Sequence, residues 1–109
     1  MNLDQMAELC AFLSLAMIKF HIRDGGWMTA DQKRIAFDEW LAQRGGKASW
    51  YKLARLVLVA DQIARQALVE YPERIREIIS GESIYREDEF YYILYQANKN
   101  ALLEKNITR

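Results

Sequence analysis

The sequence is short of the residues that support covalent cross-links, metal sites and sharp turns. It contains one cysteine, Cys10, one histidine, His21, one proline, Pro72, and five glycines in 109 residues. A single cysteine excludes an internal disulfide and a cysteine-based zinc site, and it is typical of a reducing intracellular setting. A single histidine excludes a histidine pair or triad. With so little proline and glycine, the chain favours long regular elements over short strands joined by turns.

The chain also lacks an excess of charge of either sign. Lys+Arg and Asp+Glu both total 15, so the formal net charge is +0. This balance argues against a broad electrostatic surface for nucleic acid or anionic lipid, while leaving a local patch open. Hydrophobic residues at 51% and charged residues at 28% are the composition of a soluble globular protein. We expect a single helical domain over residues 1–109.

No apolar run is long enough to predict a membrane span. The longest, Leu9 to Ile18, is well short of the roughly 20 residues that cross a bilayer. The segment before it is acidic, whereas the corresponding part of a signal peptide is basic. We therefore expect a buried helix here, a cytoplasmic protein and no membrane partner.

Helical periodicity is the strongest positive signal. Apolar residues recur at steps of three and four along the first 22 residues, and a second apolar stripe runs beside the first. A helix with two apolar stripes is expected at the centre of a bundle, with two faces covered. The first stripe comprises Leu3, Met6, Cys10, Leu13, Met17 and Phe20, and the second Ala11, Leu15, Ile18 and Ile22. No segment alternates as a strand does, so the predicted fold class is all-α, a compact bundle of four to five helices.

Local signals predict where the later helices begin and end. Thr29 and Gln32 have the spacing of a capping box at the start of a second helix, which ends at the RGGK segment, residues 44–47. A third helix is predicted over about 49–71. Its predicted inner face comprises Trp50, Leu53, Val57, Ala60, Ala64 and Leu68, and its predicted outer face Lys52, Arg55, Gln62 and Gln66. Pro72 ends this helix and can begin a short fourth helix, which Gly81 closes before the last helix.

The DGGW segment, residues 24–27, is the sharpest local pattern, and we interpret it as a turn. A phosphate-binding loop needs a preceding strand and usually a lysine at the helix start, and both are missing. A calcium loop needs oxygen ligands at alternate positions, where this chain has Ile22 and Phe20. Gly25 and Gly26 are expected to supply backbone angles that other residues resist.

The residues whose side chains could act in catalysis or bind a metal are isolated from one another in the sequence. His21 lies at the end of the first helix, where a cation favours the helix dipole, and Cys10 lies on an apolar stripe. Asp61 has Arg65 four residues on, which is the spacing of a local ion pair. No second acid or base can be assigned to Asp61, so we predict no enzyme activity, no catalytic residue, no cofactor and no metal.

Aromatic side chains in the last helix predict a binding surface. Phe90, Ile93, Leu94, Ala97 and Ala101 complete a core stripe, and several tyrosines extend beyond it. Tyrosine adds large contact area and a hydrogen bond at low entropic cost. The alternative, that these rings pack over the bundle with wet hydroxyl groups, stays open. The predicted protein interface is Tyr85, Tyr91, Tyr92 and Tyr95, with an exposed apolar point at Trp27 and Met28.

We therefore expect a non-enzymatic protein-binding module of the inhibitor, immunity or adaptor kind, such as small bacterial, phage or plasmid genes encode. Its partner is another protein, and a homodimer is left open. Residues 33–66 carry a net charge of +4 and residues 70–89 a net charge of −4, which also suits a head-to-tail contact. The alternative is a helix-turn-helix-like nucleic-acid-binding regulator that uses the basic segment 44–55, with contacts from Arg44, Lys47, Lys52 and Arg55.

Overall fold

Five helices account for most of the chain in the computed structural model, which describes residues 1–46, 50–81 and 84–107. The side chains of 50–52 and 84–86 are outside that description. No strand occurs within the described ranges, so the predicted all-α bundle of four to five helices is confirmed. The helices are α1 (Leu3–Asp24), α2 (Ala30–Gln43), α3 (Trp50–Glu70), α4 (Pro72–Ile79) and α5 (Ile84–Glu104).

Helix α1 is the centre of the bundle, as its two apolar stripes predict. It packs against all four other helices, most extensively against α5 and α3. Ten of its residues are buried, from Met6 to Ile18, and they lie on more than one face. By length and mean composition alone its 22 residues would also suffice to cross a membrane, although the uninterrupted apolar run within it is shorter. The core helix of a bundle passes the same test, and half of the most apolar stretch is buried within this bundle.

Helices α1 and α3 run parallel and approach each other closely. Cys10 Sγ donates to the carbonyl oxygen of Leu56 at 3.4 Å, and Ser14 Oγ donates to that of Ala60 at 2.8 Å. Both pairs advance by four residues along each helix, which fixes the parallel direction. The small side chain of Ala60, fully buried, lets the α3 backbone come within hydrogen-bond distance of α1.

A buried amide connects α5 to this junction. Asn98 is 0% exposed, and its Nδ2 donates to Ser14 Oγ at 3.2 Å and to the carbonyl oxygen of Leu94 at 2.9 Å. A buried polar group without such partners would destabilise the fold. Asn98 and Ser14 therefore align three helices at one point in the core.

The buried face of α3 is wider than its predicted inner stripe. Val57, Ala60 and Ala64 are buried as expected, and Arg55 and Gln62 face solvent. Four further residues are also buried because α1, α4 and α5 all pack on this helix: Leu56, Val59, Ile63 and Ala67.

Capping groups set the helix ends that turn the chain. The predicted capping box at α2 is confirmed, with the Thr29 side chain accepting from Gln32 N and Gln32 accepting from Thr29 N. Gly25 ends α1 with φ +80°, and Gly81 follows α4 with φ +77°. The expectation for Gly26 was wrong, because only Gly25 of this pair has a positive φ. The turn between α1 and α2 needs one residue in the left-handed conformation, and Gly25 is that residue.

Candidate functional site

The turn between α1 and α2 is held against α3 through the indole of Trp27. Trp27 Nε1 donates to Asp61 Oδ2 at 2.7 Å, across 34 residues of sequence. The guanidinium of Arg65 lies 4.3 Å from the centre of the Trp27 ring, and the His21 ring packs at 5.7 Å. His21 Nδ1 also bonds the carbonyl oxygen of Gly26 at 3.0 Å. We call these residues, with Lys33 of α2, the corner cluster.

The carboxylate of Asp61 is the centre of the corner cluster. Lys33 Nζ donates to its Oδ2 at 2.8 Å, and Arg65 Nε donates to its Oδ1 at 2.6 Å, which confirms the predicted pair with Arg65. Burial would raise the pKa of Asp61, but the hydrogen bonds from Lys33, Arg65 and Trp27 outweigh it and lower the pKa from 3.8 to about 2. A carboxylate with three donors and so low a pKa is a poor general base near neutral pH.

The corner is less exposed than predicted. Trp27 and Met28 are half-buried and pack against the core, so the expectation of an exposed apolar point there was wrong. The physical reason is that the indole N–H of Trp27 donates to Asp61 on α3, and this hydrogen bond places the ring against the bundle. The DGGW segment is therefore a turn, and a hydrogen bond from Trp27 to Asp61 holds it against α3.

The tyrosines of α5 divide into two groups. Tyr91 and Tyr95 are half-buried against the core, and both hydroxyl groups have partners on α1. Tyr91 Oη donates to the carbonyl oxygen of Glu8 at 3.3 Å, and Tyr95 Oη donates to Asp4 Oδ1 at 2.9 Å. For these two rings, packing over the bundle is the better description. The side chain of Tyr85 lies outside the described residues.

Tyr92 differs from its neighbours because its side chain faces solvent. It is 61% exposed, and its ring stacks on Tyr95 with centroids 6.3 Å apart and planes at 30°. Gln96 Nε2 donates to the Tyr92 hydroxyl at 2.9 Å. The Tyr95 ring and the Gln96 amide are the local contacts of the exposed ring. We call Tyr92, Tyr95 and Gln96 the tyrosine surface.

The predicted basic segment is only partly described. Arg44 is exposed, yet its guanidinium stacks 4.1 Å from the Trp40 ring and donates to the Trp40 carbonyl oxygen. Arg55 is exposed on α3. Lys47 and the side chain of Lys52 lie outside the described residues. In the described ranges, α2 packs extensively on α1 but not on α3. A helix-turn-helix needs its two helices packed on each other, so this arrangement does not favour one formed by α2 and α3.

The only cysteine is deeply buried. Burial raises the pKa of the Cys10 thiol from 9.0 to about 12, and its Sγ already donates to an α3 carbonyl. A thiol in this environment stays protonated and is a weak nucleophile. Among the described residues, no three His, Cys, Asp or Glu side chains come close enough together to hold a metal ion.

A shallow groove, which the sequence patterns did not predict, lies between α3 and the segment after α5. Its volume is 510 Å³. Val59 and Ile107, both buried, form its apolar floor, and Leu58 at 69% exposed stands at its side. The polar lining is Arg55, Asp61, Gln62 and Lys105. We call this feature the basic groove. One feature of the sequence could have indicated this groove, since Leu58 is an apolar residue on the polar face of α3.

Comparison with known proteins gives no relative. The chain matches no protein-family model, and searches of curated proteins and of solved structures find no match.

Proposed function

We propose that the protein is a non-enzymatic protein-binding module, of the inhibitor, immunity or adaptor kind, that contacts its partner through the tyrosine surface of α5. The observation that carries this proposal is the exposure of Tyr92, at 61%, beside neighbouring tyrosines that are half-buried. Exposed aromatic rings of this kind are frequent anchors of protein interfaces, because they bring large apolar area with a polar end.

The local contacts of Tyr92 also support a contact role. Binding costs free energy when a mobile side chain must be ordered. Stacking on Tyr95 and the bond from Gln96 favour the observed position of the ring in the free protein. Contacts of this kind reduce the entropic cost of ordering the side chain on binding.

The use of the reactive groups supports a function without catalysis. Asp61 accepts three internal hydrogen bonds, and Cys10 is buried with its thiol bonded to α3. The His21 ring packs on Trp27 and bonds the turn backbone. Each group has a structural role that would have to be broken before it could act on a substrate.

Affinity capture from a bacterial lysate tests this proposal. Wild type, Tyr92→Ala and Ile35→Ala would each be immobilised, and the retained proteins quantified by mass spectrometry. Ile35 is a matched control because it is a large apolar side chain on α2 with 55% exposure. We expect at least one protein that wild type and Ile35→Ala retain alike.

Truncation of Tyr92 should weaken that protein's binding by about 2 kcal/mol, roughly thirtyfold, as for a typical anchor residue. If the three baits retain the same proteins in the same amounts, the tyrosine surface is not the site of contact.

Nucleic-acid binding through residues 44–55 is the less supported alternative, since Arg44 is held on Trp40. Its signature would be affinity for a generic duplex that falls steeply with salt and disappears in Lys52→Glu plus Arg55→Glu. Binding that is indifferent to these changes would remove this alternative.

A further inference from the structure

The basic groove carries two cations that no acid neutralises within the described part of the chain. Arg55 and Lys105 are both exposed and line the groove from α3 and from the end of α5. Asp61 also lines it, but its carboxylate is already paired with Lys33 and Arg65. The groove therefore combines an apolar floor with net positive charge, and an apolar group flanked by acids is complementary to it.

The same molecule presents such a group at the other end of α5. Asp88 and Glu89 are exposed and, within the described ranges, have no ion-pair partner, whereas the preceding Glu87 pairs with Lys19. They lie four and three residues before Tyr92, so all three share one face of the helix. The exposed ring of Tyr92 is thus flanked by two carboxylates. We call Asp88, Glu89 and Tyr92 the acidic patch.

One copy of the chain cannot join these two surfaces. At the rise of an α-helix, the sixteen steps from Glu89 to Lys105 separate the surfaces by about 24 Å along α5. Contact between them therefore requires a second molecule. Because the surfaces differ, the contact is head-to-tail, and it repeats from copy to copy unless a ring closes.

We propose that the acidic patch of one copy docks in the basic groove of a second copy, with Tyr92 on the floor of Val59 and Ile107 and the carboxylates beside Arg55 and Lys105. A groove of 510 Å³ accommodates one aromatic side chain. Its open side, where Leu58 stands in solvent, suits a protrusion from another molecule better than an enclosed small ligand. This inference rests on the proposed contact role of Tyr92 and names a second copy as an occupant of that surface.

The contact is small, so assembly is expected only at high protein concentration. It joins a few side chains, whereas stable complexes bury about 800 Å² on each partner. Sedimentation velocity from micromolar to millimolar protein should show species that grow with concentration beyond a dimer. Added salt should reverse this growth, because the Debye length falls to about 3 Å at 1 M.

Paired charge reversals give the sharpest test. Arg55→Glu plus Lys105→Glu makes the groove acidic, and Asp88→Lys plus Glu89→Lys makes the patch basic. In each variant alone the two surfaces carry the same sign, so association should weaken by about tenfold or more. An equimolar mixture restores both opposite-charge contacts and should assemble again. Arg34→Glu, at an exposed cation outside both surfaces, should assemble like wild type.

Helical circular dichroism verifies that each variant is folded. Arg55→Gln in the groove and Glu89→Gln in the patch, made separately, are milder changes that remove one charge each and should also weaken association. A protein that stays monomeric to millimolar concentration overturns the inference, and so does a dimer that ignores all of these charges. Either result leaves the capture of a different partner through Tyr92 unaffected, so failure here is distinguishable from failure of the proposed function.

Discussion

The corner cluster and the tyrosine surface both place an aromatic ring beside charged groups, but they differ in where their hydrogen bonds go. At the corner, the Trp27 indole bonds Asp61 across the bundle, and the ring is half-buried under Arg65. On α5, the Tyr92 hydroxyl bonds, among the residues that the structure describes, only the neighbouring Gln96 of its own helix, and the ring stays 61% exposed.

This difference separates an aromatic residue that stabilises the fold, Trp27, from one that is available to contact another molecule, Tyr92. A polar aromatic group whose partner lies on another helix stabilises the tertiary fold, since its loss removes a hydrogen bond between elements at a part-buried site. An exposed ring with only a local partner adds little to folding and remains available to another molecule. The predictions below test this division, from the largest expected effect to the smallest.

Removal of the Asp61 carboxylate should have the largest effect on stability. In Asp61→Ala, Lys33 and the Trp27 indole lose their acceptor in a part-buried site, where Lys33 is 17% exposed. We expect the free energy of unfolding to fall by about 2–3 kcal/mol in urea denaturation. Asp31→Ala is the matched control, because its pair with Arg34 is exposed and 3.6 Å long. Equal losses in the two variants would mean that the corner cluster is only a surface ion pair.

The stabilisation from Asp61 should depend on pH. Its folded-state pKa is lowered from 3.8 to about 2, so its contribution is complete above pH about 4 and is lost as the pH falls towards 2. At neutral pH the difference in stability between wild type and Asp61→Asn should be about 2 kcal/mol. Denaturation at several pH values should show this difference closing between pH 4 and 2. A difference that persists unchanged at pH 2 would contradict the assigned charge pairing.

Trp27→Phe should have a smaller effect than loss of Asp61. The phenyl ring keeps the contacts with Arg65 and His21 but lacks the indole donor, while Lys33 and Arg65 still satisfy Asp61. We expect a loss of about 1 kcal/mol in thermal or urea unfolding. A loss as large as that of Asp61→Ala would place the main role of Trp27 in packing and not in its hydrogen bond.

Tyr95→Phe should leave stability unchanged within the error of a denaturation curve. Its hydroxyl donates to Asp4, whose side chain is 64% exposed and already paired with Lys99 at 2.9 Å. Water can replace a donor at so exposed an acceptor. A clear loss of stability would show that the contacts between α5 and α1 at this end carry more of the fold than their exposure indicates.

Much of the fold follows from local sequence patterns. The two apolar stripes predict the central position of α1, and the Thr29–Gln32 spacing predicts the start of α2. Asn2 and Gln5 form a similar capping box at the start of α1, and their spacing is a local signal of the same kind. Buried Asn98 could not be predicted, because its place in the core depends on Ser14, which is 84 residues away.

The candidate site was predictable only in part, for the same reason. Asp61 and Arg65 are neighbours on one helix, so their pairing follows from spacing. The contact of Asp61 with Trp27 depends on how α3 passes the corner, and no local pattern encodes it. The tyrosines look alike in sequence, and only the packing of α5 on α1 separates the exposed Tyr92 from the half-buried Tyr91 and Tyr95.

The most direct measurement of the central claim is the urea unfolding free energy of Tyr92→Ala beside that of Asp61→Ala. If Tyr92 is kept for contact, Tyr92→Ala unfolds within about 0.5 kcal/mol of wild type, as an exposed substitution does, while Asp61→Ala is clearly destabilised. A loss for Tyr92→Ala as large as that for Asp61→Ala would contradict the account, because it would make the exposed ring part of the core.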